Sequence, residues 1–266
     1  MWRDGVHLTG TPIWCDARRR RDVCFVSAAD RVGRAGHGQL IATRETLALL
    51  GATRGGHLGV PLHQRFTLGT LRLELIASGR GPGGAALYVD MAGKTALYAG
   101  ELRAATADVR AADAVVVAAP HDREAPPVAE LAARARAWCE DQLARGVRPV
   151  LPVERPLDGV ELASLLGLPV AGARAIRDAA ARIDVAIAAP KKEPCTLISL
   201  GDKTVGPGKH AIMDDFWWPH GDGPRALASW IEATGAREVF VTGPAAEAIP
   251  GARVLGPPHQ MSLRFA

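Results

Sequence analysis

Residues 23–43, VCFVSAADRVGRAGHGQLIAT, read as an apolar strand, a small polar loop and a second strand. The loop that follows a strand is where enzymes built on parallel sheets place their reacting groups. Here it consists of Ala28, Ala29, Asp30, Arg31, Val32 and Gly33, which leaves almost nothing to do chemistry. Other polar residues stand singly. Asp16 ends the apolar run TPIWCD, Glu101 follows ALYAG, and His220 lies in Trp217-Trp218-Pro219-His220-Gly221-Asp222. His220 is either a reacting group or a helix-start residue packed on its two tryptophans. His121-Asp122-Arg123 has the composition of an acid–base pair and equally of a polar loop at a strand end. His37 and His63 read as loop residues. Gly81-Pro82-Gly83-Gly84 has the glycines of a phosphate cradle, but with no helix after it the segment reads as a wide hairpin turn.

Bulk properties bound the partners. The 266 residues, 48% apolar, suffice for a large core in one domain or in one domain with an insertion. A formal charge of +4 permits a polyanionic partner without requiring one. Positive charge concentrates in Arg18, Arg19, Arg20 and Arg21, a solvated loop or a phosphate contact. Trp217 and Trp218 could stack on bases, anchor a partner or pack internally. The four cysteines form no CxxC pair, so buried free thiols are expected rather than a zinc knuckle. The opening MWRDGVHLTG has no apolar signal core, and no stretch approaches a membrane span, so a cytoplasmic protein with no membrane partner is expected.

The elements that would position these residues fall into two styles. Strands are predicted at 11–16, 22–27 and 39–43, with a short helix over 44–51 ending on glycine. Residues 65–78 read as a hairpin, and strands at 85–90 and 95–99 flank a second one, so the first hundred residues are expected to form a β-meander with one helix among its strands. From about 120 the pattern alternates. A strand at 115–119 precedes an amphipathic helix over 126–145, a strand at 150–153, helices near 157–166 and 172–183, and a strand at 195–200. After PKKEP, residues 190–194, strands return at 211–214, 238–242 and 253–256, with a helix over 223–234. The predicted organisation is a strand-rich domain, 1–119 and 206–266, interrupted by an α/β insert at 120–205.

Several segments, in order along nearly the whole chain, resemble the metallo-β-lactamase-fold nucleases of the β-CASP group. The likeness is to the bacterial mRNA 3′-end processing factor-like or DNA-ligase-associated exonucleases. GVHLTGTPIWCD resembles the family's first strand, ending in aspartate, and FVS precedes the slot that reads HAHADH in active members. IATRETLALLG resembles its IAT-x-x-T-x-x-LL helix start, and LIASGRGPGGAAL its G-H-x-x-G-S-A hairpin. ALYAGEL stands for YTGDF, and DDFWWPHGDGPRALASWIEATGAREVFVTGP for the closing segment with its DHAD-like motif and a strand ending VTHG. The resemblance implies an α+β fold, the αββα metallo-β-lactamase sandwich with a shortened β-CASP-like α/β insert.

It also implies which positions would hold two zinc ions, which need imidazole and carboxylate donors at about 2.0–2.2 Å. Ala28 and Asp30 stand at the two histidines of HxH, and Val32 and Gly33 at the Asp-His pair. Arg80 occupies the hairpin histidine, Glu101 the bridging aspartate, Gly243 the histidine of VTHG, and Ala118 a supporting glutamate. Asp16, Glu101 and His220 keep compatible chemistry as vestigial candidates. Hydrocarbon cannot ligate a metal, and a guanidinium repels one, so no metal and no zinc cofactor is expected. Arg80 is expected to fill the vacated space by pairing with Asp16, Asp30 or Glu101.

Three functions follow as expectations. The first is a pseudoenzyme acting as a structural or regulatory subunit beside a protein partner such as an active nuclease, helicase or DNA ligase. The second is a non-hydrolytic DNA- or RNA-binding module. The third is an atypical phosphodiesterase with a rebuilt single-metal site of Asp16, Glu101, His220 and Asp30.

Overall fold

A computed structural model describes residues 5–32, 36–52, 55–191, 194–201 and 209–256. The chain divides into two units, Met1–Ala125 with His220–Ala266, and Pro126–Pro219.

Among the described residues, the first unit contains two sheets. One is ordered Val6–His7, Ile13–Cys15, Val23–Phe25, Gln39–Ala42, Leu58–Gly59. Its last four strands are parallel, and Val6–His7 is antiparallel to Ile13–Cys15. The meander expected across the first hundred residues is therefore corrected in this part. The segments joining these parallel strands exceed the two to five residues or so of a tight hairpin, and they return the chain to start each strand in the same direction.

In the second sheet the period-two runs do form a meander. Arg65–Leu68, Leu71–Ala77, Ala85–Met91 and Lys94–Gly100 pair antiparallel in succession. Ala114–Ala118, Glu238–Thr242 and Arg253–Val254 extend this sheet in parallel. Ala114–Ala118 is buried throughout, which explains why it reads as a continuous apolar run without alternation.

The two sheets share a core. Ile13, Cys15, Phe25 and Ile41 from the first pack with Leu73, Leu75, Leu87, Tyr98 and Val116 from the second. Each sheet also buries its other face under a helix. Arg44–Leu50 starts at Thr43, whose hydroxyl accepts from Thr46 N at 3.2 Å, and stops at Gly51 in the left-handed conformation. Its Leu47 packs with Cys24, Val26, Leu40 and Ala42. Pro224–Thr234 begins on proline and ends at left-handed Gly235. Leu227, Trp230 and Ile231 cover Leu97, Val115, Val117 and Val241. Each such fully buried leucine contributes about 1.5–3 kcal/mol relative to exposure, so these faces hold the layers together.

The second unit has one parallel sheet, ordered Val170–Gly172, Thr196–Leu200, Arg148–Val153, His210–Ile212. Helices Val128–Ala144, Pro156–Leu166 and Arg174–Ala180 supply Leu131, Ala135, Val160, Leu162 and Ile176 to its core. The unit runs from 126 to 219 rather than over the expected 120–205. His210–Ile212, expected to return to the first domain, instead pairs with Arg148–Val150, and Trp218 enters the core of the second unit. Among the described residues, no helix is long and apolar enough to cross a membrane.

Candidate functional site at the strand ends

Parallel strands present their carboxyl ends on one side, and the ligands of open α/β sheets bind at such ends. Asp16 directly follows Ile13–Cys15, Ser27 to Arg31 follow Val23–Phe25, and Glu101 directly follows Lys94–Gly100. Arg80 enters from the turn between Leu71–Ala77 and Ala85–Met91. Backbone contacts pin that turn. Ala85 N donates to Ser27 O at 2.9 Å, and Thr43 and Thr46 hydroxyls both donate to Gly83 O at 2.7 Å. Gly81–Gly84 is thus a hairpin turn, as its lack of a following helix implies.

Asp16 is buried and adopts a left-handed backbone, φ 49°. Asparagine and aspartate tolerate that region best among side-chain-bearing residues. Its carboxylate is saturated by donors: Ser27 N at 2.8 Å, Ser27 Oγ at 2.6 Å and Tyr98 Oη at 2.9 Å. Burial and the Asp16 carboxylate push the Tyr98 phenol well above its ordinary pKa, so it remains the donor. Arg31 Nε approaches Asp16 Oδ2 at 3.5 Å, and Arg31 Nη1 donates to Glu101 Oε1 at 2.6 Å. Burial alone would discourage the Arg31 charge, but Glu101 and Asp16 more than compensate, and its pKa is raised.

Arg80 completes the network. Its fork meets Asp30 twice, Nη1 to Oδ1 at 2.8 Å and Nη2 to Oδ2 at 2.6 Å. Nη1 also lies 2.7 Å from Glu101 Oε2. The expected pairing of Arg80 with Asp30 or Glu101 is present with both. The result is a continuous chain of side chains, Tyr98–Asp16–Arg31–Glu101–Arg80–Asp30. Planar guanidiniums suit this role because they offer fixed N–H forks to carboxylates.

The positions that the resemblance assigns to zinc ligands do not fit a metal pair. Ala28 is buried hydrocarbon and Val32 is apolar. Gly33 lies outside the described residues. Arg80 places its charge between the two carboxylates that could otherwise have served as donors. Gly243 has φ 102°, and a Cβ there would lie 2.4 Å from Ala119 O, so no side chain, an imidazole included, fits this backbone. Ala118 is buried at the end of its strand. Among the described residues, no group of three or more His, Cys, Asp or Glu side chains is placed to hold a metal ion.

Other candidates take structural positions. Trp218 is 1% exposed and donates to Glu161 Oε2 at 2.9 Å, so its faces are closed to a base. Trp217 is half-buried. His220 is buried, preceding the helix Pro224–Thr234. His121 places Nδ1 and Nε2 at 2.7 and 2.8 Å from the carbonyls of Arg123 and Gly221, which ties two backbone segments rather than poising an acid–base pair. The arginine run is divided. Arg18 Nε donates to Arg31 O at 3.1 Å and Arg21 stacks 3.5 Å over Trp14, leaving Arg19 and Arg20 exposed.

Sequence reading missed Arg31, Ser27 and Tyr98. Arg31 has a weak signal, a lone cation in the strand-end loop. Tyr98 has a clearer one, a phenol three residues before Glu101 within the apolar run Ala96–Ala99.

No protein-family model matches the chain, and no curated protein matches it. The solved structures similar to it include a protein of unknown function from Enterococcus faecalis V583, 10% identical, with a TM-score of 0.58. The match covers 90% of this chain and 79% of that one. At that identity the likeness concerns the fold alone.

Proposed function

We propose that the chain is a catalytically inactive homologue of the metallo-β-lactamase-fold β-CASP nucleases, serving as a structural or regulatory subunit of a nucleic-acid-processing complex. Two sheets sharing a core, each backed by a helix, support the αββα sandwich, and the parallel sheet of Pro126–Pro219 supports a β-CASP-like insert. The observation that carries the reading is Arg80, forked onto Asp30 and touching Glu101, where the family's metals would sit. A fixed cation there satisfies the carboxylates and leaves no open coordination position for an attacking hydroxide.

In this reading the fold persists as a surface for a partner protein, an active nuclease, helicase or DNA ligase. The test is hydrolysis of single-stranded RNA and DNA by the purified chain with Zn²⁺ or Mn²⁺ supplied, alongside tagged capture from its native cell. The reading expects no cleavage and stoichiometric recovery of one such enzyme. Cleavage abolished by Glu101→Gln and by His220→Ala would overturn it in favour of a rebuilt hydrolase.

A further inference from the structure

We infer that the edge of the five-stranded sheet carries a binding site for a small phosphate monoester, built from Arg44, His57 and a glycine-rich wall. A cavity of about 320 Å³ opens there, lined by Arg44, Leu47, Gly55, Gly56, His57 and Gly59, none of which belongs to the strand-end ion network. That volume lies at the lower end of the roughly 300–1,000 Å³ typical of small-ligand pockets.

The donors fix the ligand's sign. Leu40 N–H donates to His57 Nδ1 at 3.1 Å, which leaves the ring proton on Nε2, so the free edge of the imidazole is a donor. The same tautomer disfavours a metal, which needs an unprotonated ring nitrogen. Arg44 is exposed, and among the described residues no ion pair engages its guanidinium. No carboxylate stands among the described residues lining the cavity. A cationic fork and an N–H donor, with no acidic competitor, recognise an oxyanion, and phosphate matches the fork in two-pronged fashion.

Glycine makes the room. A Cβ on Gly59 would fall 3.1 Å from Arg44 Cγ and 3.4 Å from Leu47 Cδ1, so its absence is what seats the arginine stem. Gly55 and Gly56 both have left-handed φ, 89° and 73°, and Gln39 Nε2 holds Gly56 O at 3.0 Å. The wall is therefore anchored to the strand Gln39–Ala42. A water takes about 30 Å³ of liquid, so the cavity exceeds what a bare phosphate fills and leaves space for an organic group. This inference stands apart from the proposed function, since it needs no statement about catalysis.

Isothermal titration of the full chain with ribose 5-phosphate, inorganic phosphate and ribose tests it. Saturable binding of ribose 5-phosphate, tighter than inorganic phosphate and absent for ribose, is expected. Arg44→Gln should weaken it about tenfold or more with an unchanged melting temperature, as loss of a charge-assisted hydrogen bond implies. Gly59→Ala, which needs no unusual backbone, should weaken it by narrowing the site. Inorganic phosphate binding as tightly as the monoester would overturn the monoester assignment. Absence of saturable phosphate binding, or Arg44→Gln binding like the wild type, would overturn the site itself.

Discussion

Arg80 Nη1 lies 2.7 Å from Glu101 Oε2, with the two side chains only 1% and 2% exposed. An ion pair so enclosed gives little net stability against a well-packed hydrophobic alternative, but losing one partner strands the other charge. Arg80→Met is therefore expected to destabilise the chain by about 3–5 kcal/mol, read from urea unfolding. Arg80→Met with Glu101→Gln should recover part of the loss, because the stranded carboxylate becomes a neutral amide. A single substitution that leaves the unfolding midpoint unchanged would show that the network is not formed in solution.

The site also rests on a glycine. Gly100 has φ 62°, and a Cβ there would lie 2.4 Å from Ser27 Oγ and 3.4 Å from Asp16 Oδ2. Gly69 has nearly the same φ, 61°, with nothing within 4 Å. Alanine at either position meets the same backbone penalty, so the difference isolates the collision. Gly100→Ala should cost about 2 kcal/mol more than Gly69→Ala, through displacement of Ser27 from the Asp16 carboxylate.

How much of this was legible in the sequence depends on the length of each element. The first hairpin alternates cleanly over 65–75, Met91-Ala92-Gly93-Lys94 marks the turn of the second, and the helix at Arg44–Leu50 has both its threonine cap and its terminal glycine, so all three were readable. Ile13–Cys15, Val23–Phe25 and Gln39–Ala42 are three or four residues long, too short to carry a period, and their parallel pairing is set by tertiary packing. Val6–His7, Leu58–Gly59 and Val170–Gly172 were not foreseen for the same reason. At the site, Arg80 could be matched to a carboxylate because the resemblance aligns it with a ligand position beside Asp16, Asp30 and Glu101. Arg31 could not, because its place depends on a turn in which Arg31 N donates to Ala28 O at 3.0 Å, and that segment has neither glycine nor proline to announce it.

His37 makes stability depend on pH. It is buried, and burial above all, with lesser contributions from Arg21 and His57, holds its pKa below the ordinary value of 6.5. As pH falls through that value, the unfolded chain takes up the proton first, which favours unfolding. The stability present above pH 6.5 is therefore lost progressively on acidification toward the lower folded value. Urea midpoints measured on either side of this window should drop for the wild type and drop less for His37→Gln.

The thiols give a direct probe of burial. All four cysteines are free, with Cys15, Cys24 and Cys139 buried and Cys195 partly exposed. Burial pushes Cys24 up to about 12 and Cys139 to about 11, and raises Cys15 as well, so the reactive thiolate is scarce at neutral pH. A disulfide reagent at pH 8 should label Cys195 alone in the native protein and all four after denaturation. Rapid native labelling of Cys15 would contradict the shared core of the two sheets, and rapid labelling of Cys24 the packing of the first sheet under the helix Arg44–Leu50.

In the proposed function, the guanidiniums of Arg80 and Arg31 stand where the metals of an active nuclease would sit. The most direct measurement of that placement is the metal content of the purified chain after incubation with Zn²⁺ or Mn²⁺ and desalting. The arrangement of Arg80 and Arg31 among Asp16, Asp30 and Glu101 predicts only traces, and a melting temperature that neither ion raises. Stoichiometric metal, released by Asp16→Asn or Glu101→Gln, would contradict it.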